Sequence, residues 1–585
     1  MGLNILNKQN LSKKIKYHFP IVYLLFKPNK QMFKNIKGFK SIKKNNLFDE
    51  EFYLSNYKDV KASGMNPIIH YIIYGYKEGK DPNKDFDGVY YSHKYGDALS
   101  SKLSPLVHYS LYGLQENREY KLDKNLFPII PYEKVVNILK KLNNNLPKNK
   151  LIENIQKHLL NSNYPINKDC KSNKKRVLYL VHEKIGSFAG TGFTTNDIID
   201  NIQDSYECYI LTSNGLELEL WRKEIDHFEK LGQWDVHLSD NLSLDKNVNF
   251  SKLLYSKELM AIYFTILVNL NIDLIHINHL INHSFDISKV AEKLNIPIIL
   301  SIHDFYYICP SIHLLNKNQE YCELMCRKDK WACGCVNSSD EISLKNTINL
   351  WRNESLKFLN RCSLIIAPSN YSTEVYNAQY PEIKNNIKII EHGRNLPKRL
   401  NCSLTPKNTP IKILFPGHIS KHKGSLLIRK LKEIDKDNKL EFHFMGTTYP
   451  SLKQYGKNHG RYSREDFGKF VNNINPSFMG IFSIIPETYS HTLTESWNSG
   501  VPVIATNLGA LSERINKTGG GWLVDYKSPQ KVYDKIMKIA NNPKEYEKVV
   551  DNISKIKFKS KKEMTDEYKK VYDELTSHKE IDYNV

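Results

Sequence analysis

Short apolar runs recur along residues 174–572 and alternate with longer stretches that carry apolar side chains at helical spacing. The runs that resemble buried strands cover residues 176–181, 208–211, 273–277, 296–302, 411–415, 480–485 and 501–505. Between them we expect helical segments. Because strands that alternate with helices pair in parallel, the pattern predicts an α/β protein with doubly wound sheets.

The last two of these runs enclose a polar turn and a short amphipathic helix. In open α/β sheets such a turn lies at the carboxyl end of a strand, where ligands bind. The helix start offers unpaired amides near Ser490, His491 and Thr492, which favour a phosphate. Glu487 and Glu495 flank those amides, so we expect them to accept hydrogen bonds from a sugar ring and a ribose, respectively. Taken alone, two glutamates are also typical of a solvated turn and helix.

The sequence around these glutamates resembles the donor-site signature of family-4 retaining glycosyltransferases, which have the GT-B fold. The shared features are the E-x7-E spacing, the following S-G-V-P-V-I-A-T and then G-A-L-S-E-R. The resemblance covers residues 176–572 and implies two Rossmann-like domains that face each other across a cleft. It also implies transfer of a sugar from a nucleoside diphosphate sugar with retention at the anomeric carbon, without a cofactor or a catalytic metal.

The resemblance extends to the loop G-H-I-S-K-H-K-G, which begins at Gly417 and matches the diphosphate loop of that family. Lys423 falls on the lysine that neutralises the donor diphosphate. His418 stands where an arginine is usual, so a bidentate cation is missing. Lys421 and His422 can compensate for it in part. The resemblance therefore implies that Lys423 and the helix amides stabilise the departing diphosphate.

Two further positions follow from the same resemblance. His303 ends a strand in the motif I-H-D, whose histidine reaches the transferred sugar or its phosphate. Gly190, Thr191 and Gly192 lie in a glycine-bearing loop that lines the cleft in this family, although the loop does not fit the dinucleotide fingerprint. The candidate catalytic residues are Glu487, His303 and Lys423, and the candidate donor-binding residues are Gly417, His418, Lys423, Ser490, His491, Thr492, Glu495, Gly190, Thr191 and Gly192.

Residues 1–44 lie outside the resemblance and carry eleven lysines but no acidic residue. Apolar side chains recur at a spacing of three at Phe33, Ile36, Phe39 and Ile42, which fits one face of a helix. A basic amphipathic segment of this kind predicts a tail that rests on anionic lipid. A disordered basic tail explains the same residues, so both interpretations stay open.

An internal repeat with a period of 38 residues begins at Phe48, which matches Phe86. Each unit is predicted to form two short helices joined at a Gly/Ser–Pro turn. The repeat resembles modules found beside glycosyltransferases of bacterial surface-polysaccharide assembly, and we expect it to serve docking. The alternative is a sugar-binding face made of its paired His and Tyr residues, although such residues more often fill half-buried positions.

The chain has 585 residues, a net charge of +21 and nine cysteines. The charge predicts an anionic partner. Because no zinc-finger, RNA-recognition or recognition-helix signature is present, nucleotide-sugar phosphates and an anionic membrane surface fit better than nucleic acid. The cysteine content, the lack of a secretory signal and the shortness of the apolar runs predict a cytoplasmic protein, with peripheral attachment to the inner face of the cell membrane as an option. Cys322, Cys326, Cys333 and Cys335 either bind zinc or are free thiols.

The sequence therefore predicts six segments and one activity. The segments are a basic amphipathic tail (1–44), a repeat module (45–122), a helical connector (123–173), an acceptor-side Rossmann-like domain (174–400), a nucleotide-sugar-binding Rossmann-like domain (401–560), and a crossover helix with its tail (561–585). The activity is sugar transfer to a glycan or lipid-linked glycan during synthesis of a cell-surface polysaccharide such as O-antigen or capsule. A nucleotide-sugar epimerase or hydrolase, or a non-catalytic glycan-binding scaffold, are the alternatives.

Overall fold

The chain forms two compact units in a computed structural model. The residues that the structure describes are 31–142, 146–162, 164, 166, 173–186, 190–236, 254–316, 318, 320–328, 341–396, 410–462 and 466–577. The first unit comprises residues 1–241 and 255–296, and the second comprises residues 242–254 and 297–585. No helix within these described stretches is both long and apolar enough to cross a membrane.

Each repeat folds into three short α-helices and a final helical turn, Gly75–Glu78 in the first repeat and Tyr109–Gly113 in the second, where the sequence predicts two helices. The helices are Glu50–Asn56, Lys58–Ser63 and Pro67–Ile73 in the first repeat, and Gly88–Lys94, Gly96–Ser100 and Pro105–His108 in the second. Tyr57 and Tyr95 split the first predicted helix of each repeat, because both adopt a non-helical φ of −117°. Asp49 and Asp87 begin the repeats as N-caps, and each accepts a hydrogen bond from an amide in the first turn.

The helix Met32–Lys44 uses its apolar face to pack on the repeats. Ile42 is fully buried and Phe39 is 4% exposed, and both belong to one hydrophobic cluster with the two repeats, whereas Phe33 is 73% exposed. The expectation that this face rests on lipid is therefore wrong for Phe39 and Ile42, since protein already covers them. Residues 1–30 of the predicted tail lie outside the described residues.

The first unit continues as an α/β sheet with the strand order β4-β3-β2-β1-β5. The strands are β1 (Lys175–Val181), β2 (Tyr206–Ser213), β3 (Glu217–Lys223), β4 (Phe228–Asp235) and β5 (Leu274–Ile277); the helices are Tyr132–Lys141, Lys148–Asn161, Gly190–Ile202, Lys257–Asn269 and Asp286–Lys293. Strand β1 is parallel to β2 and β5, but β3 and β4 add an antiparallel hairpin where helical segments are expected. The alternation E-L-E-L from Glu217 onward explains this hairpin, because a period of two places both leucines on one face of a strand.

The second unit holds a short run of parallel strands and a complete parallel sheet. The first run is β6 (Ile298–Ser301), β7 (Leu364–Ala367) and β8 (Ile387–Ile389), with the helices Glu341–Leu359 and Asn370–Gln379. The complete sheet has the order β11-β10-β9-β12-β13-β14 and consists of β9 (Ile411–Ile419), β10 (Leu440–Thr448), β11 (Lys457–Gly460), β12 (Phe478–Ile481), β13 (Val503–Thr506) and β14 (Gly521–Val524). Its helices are Ser425–Ile434, Phe467–Ile474, His491–Asn498, Gly509–Thr518, Pro529–Ala540, Pro543–Ser554 and Lys561–Thr576.

The packing of this second unit confirms the predicted βαβ step. Strands β12 and β13 are parallel neighbours, and the helix His491–Asn498 connects them. Leu493 and Trp497 project from that helix into the hydrophobic core of the sheet and are almost completely buried. The last helix, Lys561–Thr576, contacts the end of β6, where the Tyr568 hydroxyl lies 3.1 Å from Ser301 Oγ.

Candidate active site

The helix His491–Asn498 begins at a strained residue that is held by an arginine. Ser490 has φ 71° and ψ 89°, a left-handed conformation that is costly for a residue other than glycine. The guanidinium of Arg514 donates to the carbonyl oxygens of Tyr489 and Ser490 at 3.0 Å each, and to the hydroxyl of Thr494 at 2.8 Å. Arg514 therefore fixes the direction in which the first amides of the helix point.

Lys423 and Glu487 form an ion pair beside this helix start. Lys423 Nζ lies 2.5 Å from Glu487 Oε1, and the two side chains are 37% and 17% exposed. Burial alone would raise the pKa of Glu487, but the Lys423 ammonium holds that pKa below its ordinary value. The structure thus keeps an anionic carboxylate next to a partly exposed ammonium. The carboxylate can accept hydrogen bonds from hydroxyls, and the ammonium can bind a diphosphate.

Two glycines allow the loop of Lys423 to approach its neighbours closely. Gly424 has φ +83°, and a Cβ atom there would lie only 2.0 Å from the carbonyl oxygen of Phe482. Gly417 has φ +99°, and a Cβ atom there would lie 3.9 Å from Thr492 Oγ1. The loop therefore packs against the backbone of Phe482 and lies next to the side chain of Thr492 in the first turn of the helix. His418, next to Gly417, forms a hydrogen bond with the hydroxyl of Thr447.

Glu495 forms an ion pair with Arg394, a residue that the sequence analysis does not single out. One guanidinium nitrogen of Arg394 donates to Glu495 Oε1, and the two side chains are 8% and 13% exposed. Arg394 Nε has no hydrogen-bond partner among the described residues. The arginine follows β8 in the motif E-H-G-R, so a cation at the carboxyl end of a strand is the signal that could have identified it.

Three imidazole rings lie in a row next to the helix start. The rings of His303 and His392 are 5.9 Å apart and nearly parallel, and the rings of His392 and His491 are 4.8 Å apart. His303 is also fixed through its backbone, because the Thr488 hydroxyl donates to its carbonyl oxygen at 2.8 Å. The structure thus groups His303 and His491 with His392, which sequence reasoning missed, while the roles assigned to His303 and His491 stay predictions.

His392 is the most deeply buried member of this row, at 7% exposure. Its burial, together with the nearby His303 and the cations Arg394 and Arg514, lowers its pKa well below the ordinary value. It is therefore a neutral imidazole at physiological pH. Its Nδ1 has no hydrogen-bond partner among the described residues, and a neutral ring can accept or donate one hydrogen bond at that atom.

A second histidine pair lies beside Lys423. The rings of His313 and His422 stack with their centroids 4.4 Å apart. Burial, His313 and Lys423 together lower the pKa of His422 to about 4, so it adds no positive charge at neutral pH. In this structure His422 can therefore offer a hydrogen bond but no charge, and the expectation that it compensates in part for the missing arginine stays a prediction.

The remaining predicted positions lie elsewhere or outside the described residues. Gly190, Thr191 and Gly192 belong to the first unit and form the first turn of the helix Gly190–Ile202, where the Gly192 amide donates to Glu183 Oε2 at 3.1 Å. Cys322 is half-buried and Cys326 is buried, and Cys326 Sγ accepts a hydrogen bond from an Arg352 nitrogen at 3.0 Å. The other two cysteines of the proposed zinc set are outside the described residues, so that interpretation stays a prediction.

Comparison with known proteins connects this site to sugar transfer. Residues 402–556 match the family described as Glycosyl transferases group 1, and residues 245–397 match Glycosyltransferase Family 4. The putative colanic acid biosynthesis glycosyl transferase WcaC of Escherichia coli (strain K12) is 23% identical to this chain over 240 residues. This alignment covers 39% of the chain and 56% of WcaC, so the chain spans little more than half the length of this curated relative.

Two solved structures with low identity to this chain have a partly similar backbone. HepE from Anabaena in complex with UDP-glucose has a TM-score of 0.46 and 14% identity, and the match covers 68% of this chain and 99% of HepE. Sucrose-phosphate synthase from Thermosynechococcus elongatus has a TM-score of 0.48 and 12% identity, covering 69% and 99% of the two chains. Residues 245–397 and 402–556 thus resemble the two α/β domains of GT-B glycosyltransferases, and the two family matches support a transferase enzyme.

Proposed function

We propose that the protein transfers a sugar from a nucleoside diphosphate sugar to a glycan or lipid-linked glycan acceptor, with retention at the anomeric carbon. The observation that carries this proposal is that two ion pairs involve the segment around one helix start. Glu487, which precedes the helix His491–Asn498, pairs with Lys423, and Glu495, within that helix, pairs with Arg394. We assign the diphosphate to this helix start, because its unpaired amides and one ammonium favour negative charge.

The chemistry follows from that placement. The bond between the anomeric carbon and the diphosphate oxygen breaks, and the diphosphate leaves with the electron pair. Lys423 and the first amides of the helix His491–Asn498 stabilise the charge that develops on it. The acceptor hydroxyl oxygen bonds to the anomeric carbon on the same face, and its proton leaves with the diphosphate. Because the chain supplies this positive charge itself, we expect transfer to proceed without a metal ion.

The other side chains position the two ends of the donor. Glu487 accepts hydrogen bonds from hydroxyls of the transferred sugar, and Glu495 accepts them from the ribose, using the oxygen that Arg394 does not occupy. His303 and the neutral His392 orient the sugar from the carboxyl ends of β6 and β8. The match to WcaC supports a place in cell-surface polysaccharide synthesis for this activity.

Product analysis tests the proposal directly. A panel of UDP and GDP sugars is first screened for those that raise the melting temperature, since a bound ligand stabilises the folded state by mass action. The donor found in this way is then incubated with and without polyprenyl-linked oligosaccharide acceptors, in the presence of EDTA. We expect one nucleoside diphosphate released per glycosylated acceptor and an unchanged anomeric configuration by NMR. Free sugar or an epimerised donor without an acceptor would instead indicate a hydrolase or an epimerase.

His418 makes a pH-dependent donor affinity a further expected result. Burial, Lys423 and Arg461 lower the pKa of His418 below its ordinary value, so the ring is neutral at pH 8. A bound diphosphate adds negative charge nearby and favours the imidazolium, so binding should take up a proton and tighten as the pH falls from about 8 to 6. His418→Arg should remove this dependence and tighten UDP binding at pH 8 about tenfold, because it adds a permanent charge-assisted hydrogen bond.

Calorimetric titration with UDP across this pH range measures both effects. The ionisation of UDP affects the wild type and His418→Arg equally, so a difference between their pH profiles comes from the residue at position 418. His158→Arg, on an exposed helix of the first unit, is the control for the added charge. Parallel pH profiles of the wild type and His418→Arg would show that His418 does not contact the diphosphate.

A further inference from the structure

The repeat module (residues 45–122) docks on the sheet of the first unit through buried charges. The Lys230 side chain, on β4, is completely buried and donates to Asp87 Oδ2 at 2.5 Å and to Glu219 Oε1 at 2.8 Å. Asp87 belongs to the second repeat, and Glu219 belongs to β3. Because a buried ammonium is unfavourable unless it is paired, these carboxylates hold the module in one defined position on the hairpin.

A second ion pair connects the module to the loop that follows β1. Lys184 Nζ lies 2.5 Å from Asp81 Oδ2, and both side chains are 21% exposed. Burial opposes the charge on Lys184, but Asp81, Glu219 and Asp87 outweigh it and raise the pKa of Lys184. Gly79 packs directly on this lysine, since a Cβ atom at Gly79 would lie 3.5 Å from Lys184 Cβ. The loop therefore contacts the first repeat in two ways, through packing against Gly79 and through the ion pair with Asp81.

Only the first repeat makes this contact, although the second has the same local structure. The Tyr57 hydroxyl accepts a hydrogen bond from the Asp81 amide at 2.9 Å, and the equivalent Tyr95 hydroxyl accepts one from the Glu119 amide at the same distance. Glu119, however, pairs with Lys94 inside its own repeat. The contact with the loop is thus a specific feature of Asp81 and does not follow from the fold of the repeat.

The loop that Lys184 belongs to lies at the ligand-binding edge of its sheet. It leaves the carboxyl end of β1 and leads to the helix Gly190–Ile202, and in parallel α/β sheets ligands bind at such ends. Glu183, next to Lys184, accepts a hydrogen bond from the amide of Gly192 in the first turn of that helix. The side chains of this loop take no part in the two ion pairs assigned to the donor.

We propose that the repeat module positions the loop 182–186, through the ion pair between Asp81 and Lys184, for binding of the acceptor at the carboxyl end of β1. This inference rests on the proposed function, because it assigns the second substrate of that reaction. Asp81 and Lys184 act as positioning residues and do not touch the reacting atoms. The module is then a part of the acceptor site and not only an attachment to it.

Steady-state kinetics and hydrogen exchange on the full chain test this proposal together. Lys184→Met removes the ion pair, and we expect it to raise the KM for the acceptor roughly 10- to 100-fold, as displacement of a positioning element does. The KM for the donor and the affinity for UDP should not change. The amides of the loop 182–186 should exchange faster, while those of the helix Pro67–Ile73 should keep their protection. Lys184→Arg keeps the charge and should restore both the KM and the exchange rates.

Asp59→Asn is the matched control inside the module. Asp59 also pairs with a lysine, Lys80, but its side chain is 62% exposed and does not contact the loop. It should leave the KM for the acceptor and the exchange of the loop unchanged. An unchanged loop and KM in Lys184→Met, or loss of protection throughout the module, would overturn the positioning role. If no sugar transfer is found at all, the proposed function fails. The hydrogen-exchange rates of the amides in the loop 182–186 then still show whether the ion pair fixes this loop.

Discussion

Lys423→Ala should lower kcat by about 10²- to 10³-fold, the cost of removing one preorganised group that stabilises developing negative charge. Lys423 Nζ lies 2.5 Å from Glu487 Oε1 and is the ammonium nearest to that carboxylate in the described structure. Without the Lys423 ammonium, the diphosphate still accepts hydrogen bonds from the helix amides but loses the positive charge beside it. Initial rates with the donor identified by the thermal-shift panel measure kcat, and calorimetry with inorganic pyrophosphate measures the loss of anion binding.

Lys430→Ala is the matched control, because Lys430 is exposed on the helix Ser425–Ile434 that follows this loop and is not among the residues assigned to the donor. It removes the same charge but should change kcat little. The substitution at position 423 has a second consequence: once the ammonium is gone, burial dominates and the pKa of Glu487 should rise. Adding Glu487→Gln to Lys423→Ala separates this effect from the loss of the cation. A kcat within about twofold of the wild type in Lys423→Ala would contradict the electrostatic account of leaving-group stabilisation, since twofold corresponds to under 1 kcal/mol.

The part of the site that one stretch of sequence encodes could be predicted. The βαβ step depends on local periodicity, and the structure confirms it. The roles of Lys423, Glu487 and Glu495 come from the family resemblance and stay predictions, although Lys423 and Glu487 do form an ion pair. Gly417 and Gly424 both have positive φ, which explains why the loop needs glycine at these positions. Local patterns suffice here because the strand, the turn and the helix start are consecutive in the chain.

The contacts between distant segments could not be predicted in the same way. Arg394 and Glu495 are 101 positions apart, and no periodicity connects them. The row formed by His303, His392 and His491 likewise depends on how β6, β8 and the helix are arranged in space. The apolar face of the helix Met32–Lys44 indicates that this face is buried but not which part of the chain covers it. In the structure the two repeats cover it. Patterning determines which side is buried, whereas only the tertiary fold determines the partner.

Glu495→Ala should weaken the binding of UDP or GDP about 10- to 150-fold, which corresponds to one charge-assisted hydrogen bond of about 1.5–3 kcal/mol to the ribose. The affinity for inorganic pyrophosphate should not change, because that ligand has no ribose and the lysine at position 423 remains. This difference between two ligands separates a nucleoside contact from a general electrostatic effect. Calorimetric titrations of both ligands into the wild type and the variant provide the measurement.

The partner of Glu495 makes a second variant necessary. Arg394 is only 8% exposed. Removing the Glu495 carboxylate therefore leaves a buried, unpaired guanidinium that can attract any anion, including pyrophosphate. Glu495→Gln keeps a hydrogen-bond acceptor for Arg394 but offers the ribose a weaker one. It should therefore weaken nucleotide binding selectively, but by a smaller factor than Glu495→Ala. Glu547→Ala, on an exposed position of the helix Pro543–Ser554, controls for the lost charge. A loss of UDP and pyrophosphate affinity to the same extent in both variants would mean that Glu495 organises the helix start through Arg394 and that the ribose binds elsewhere.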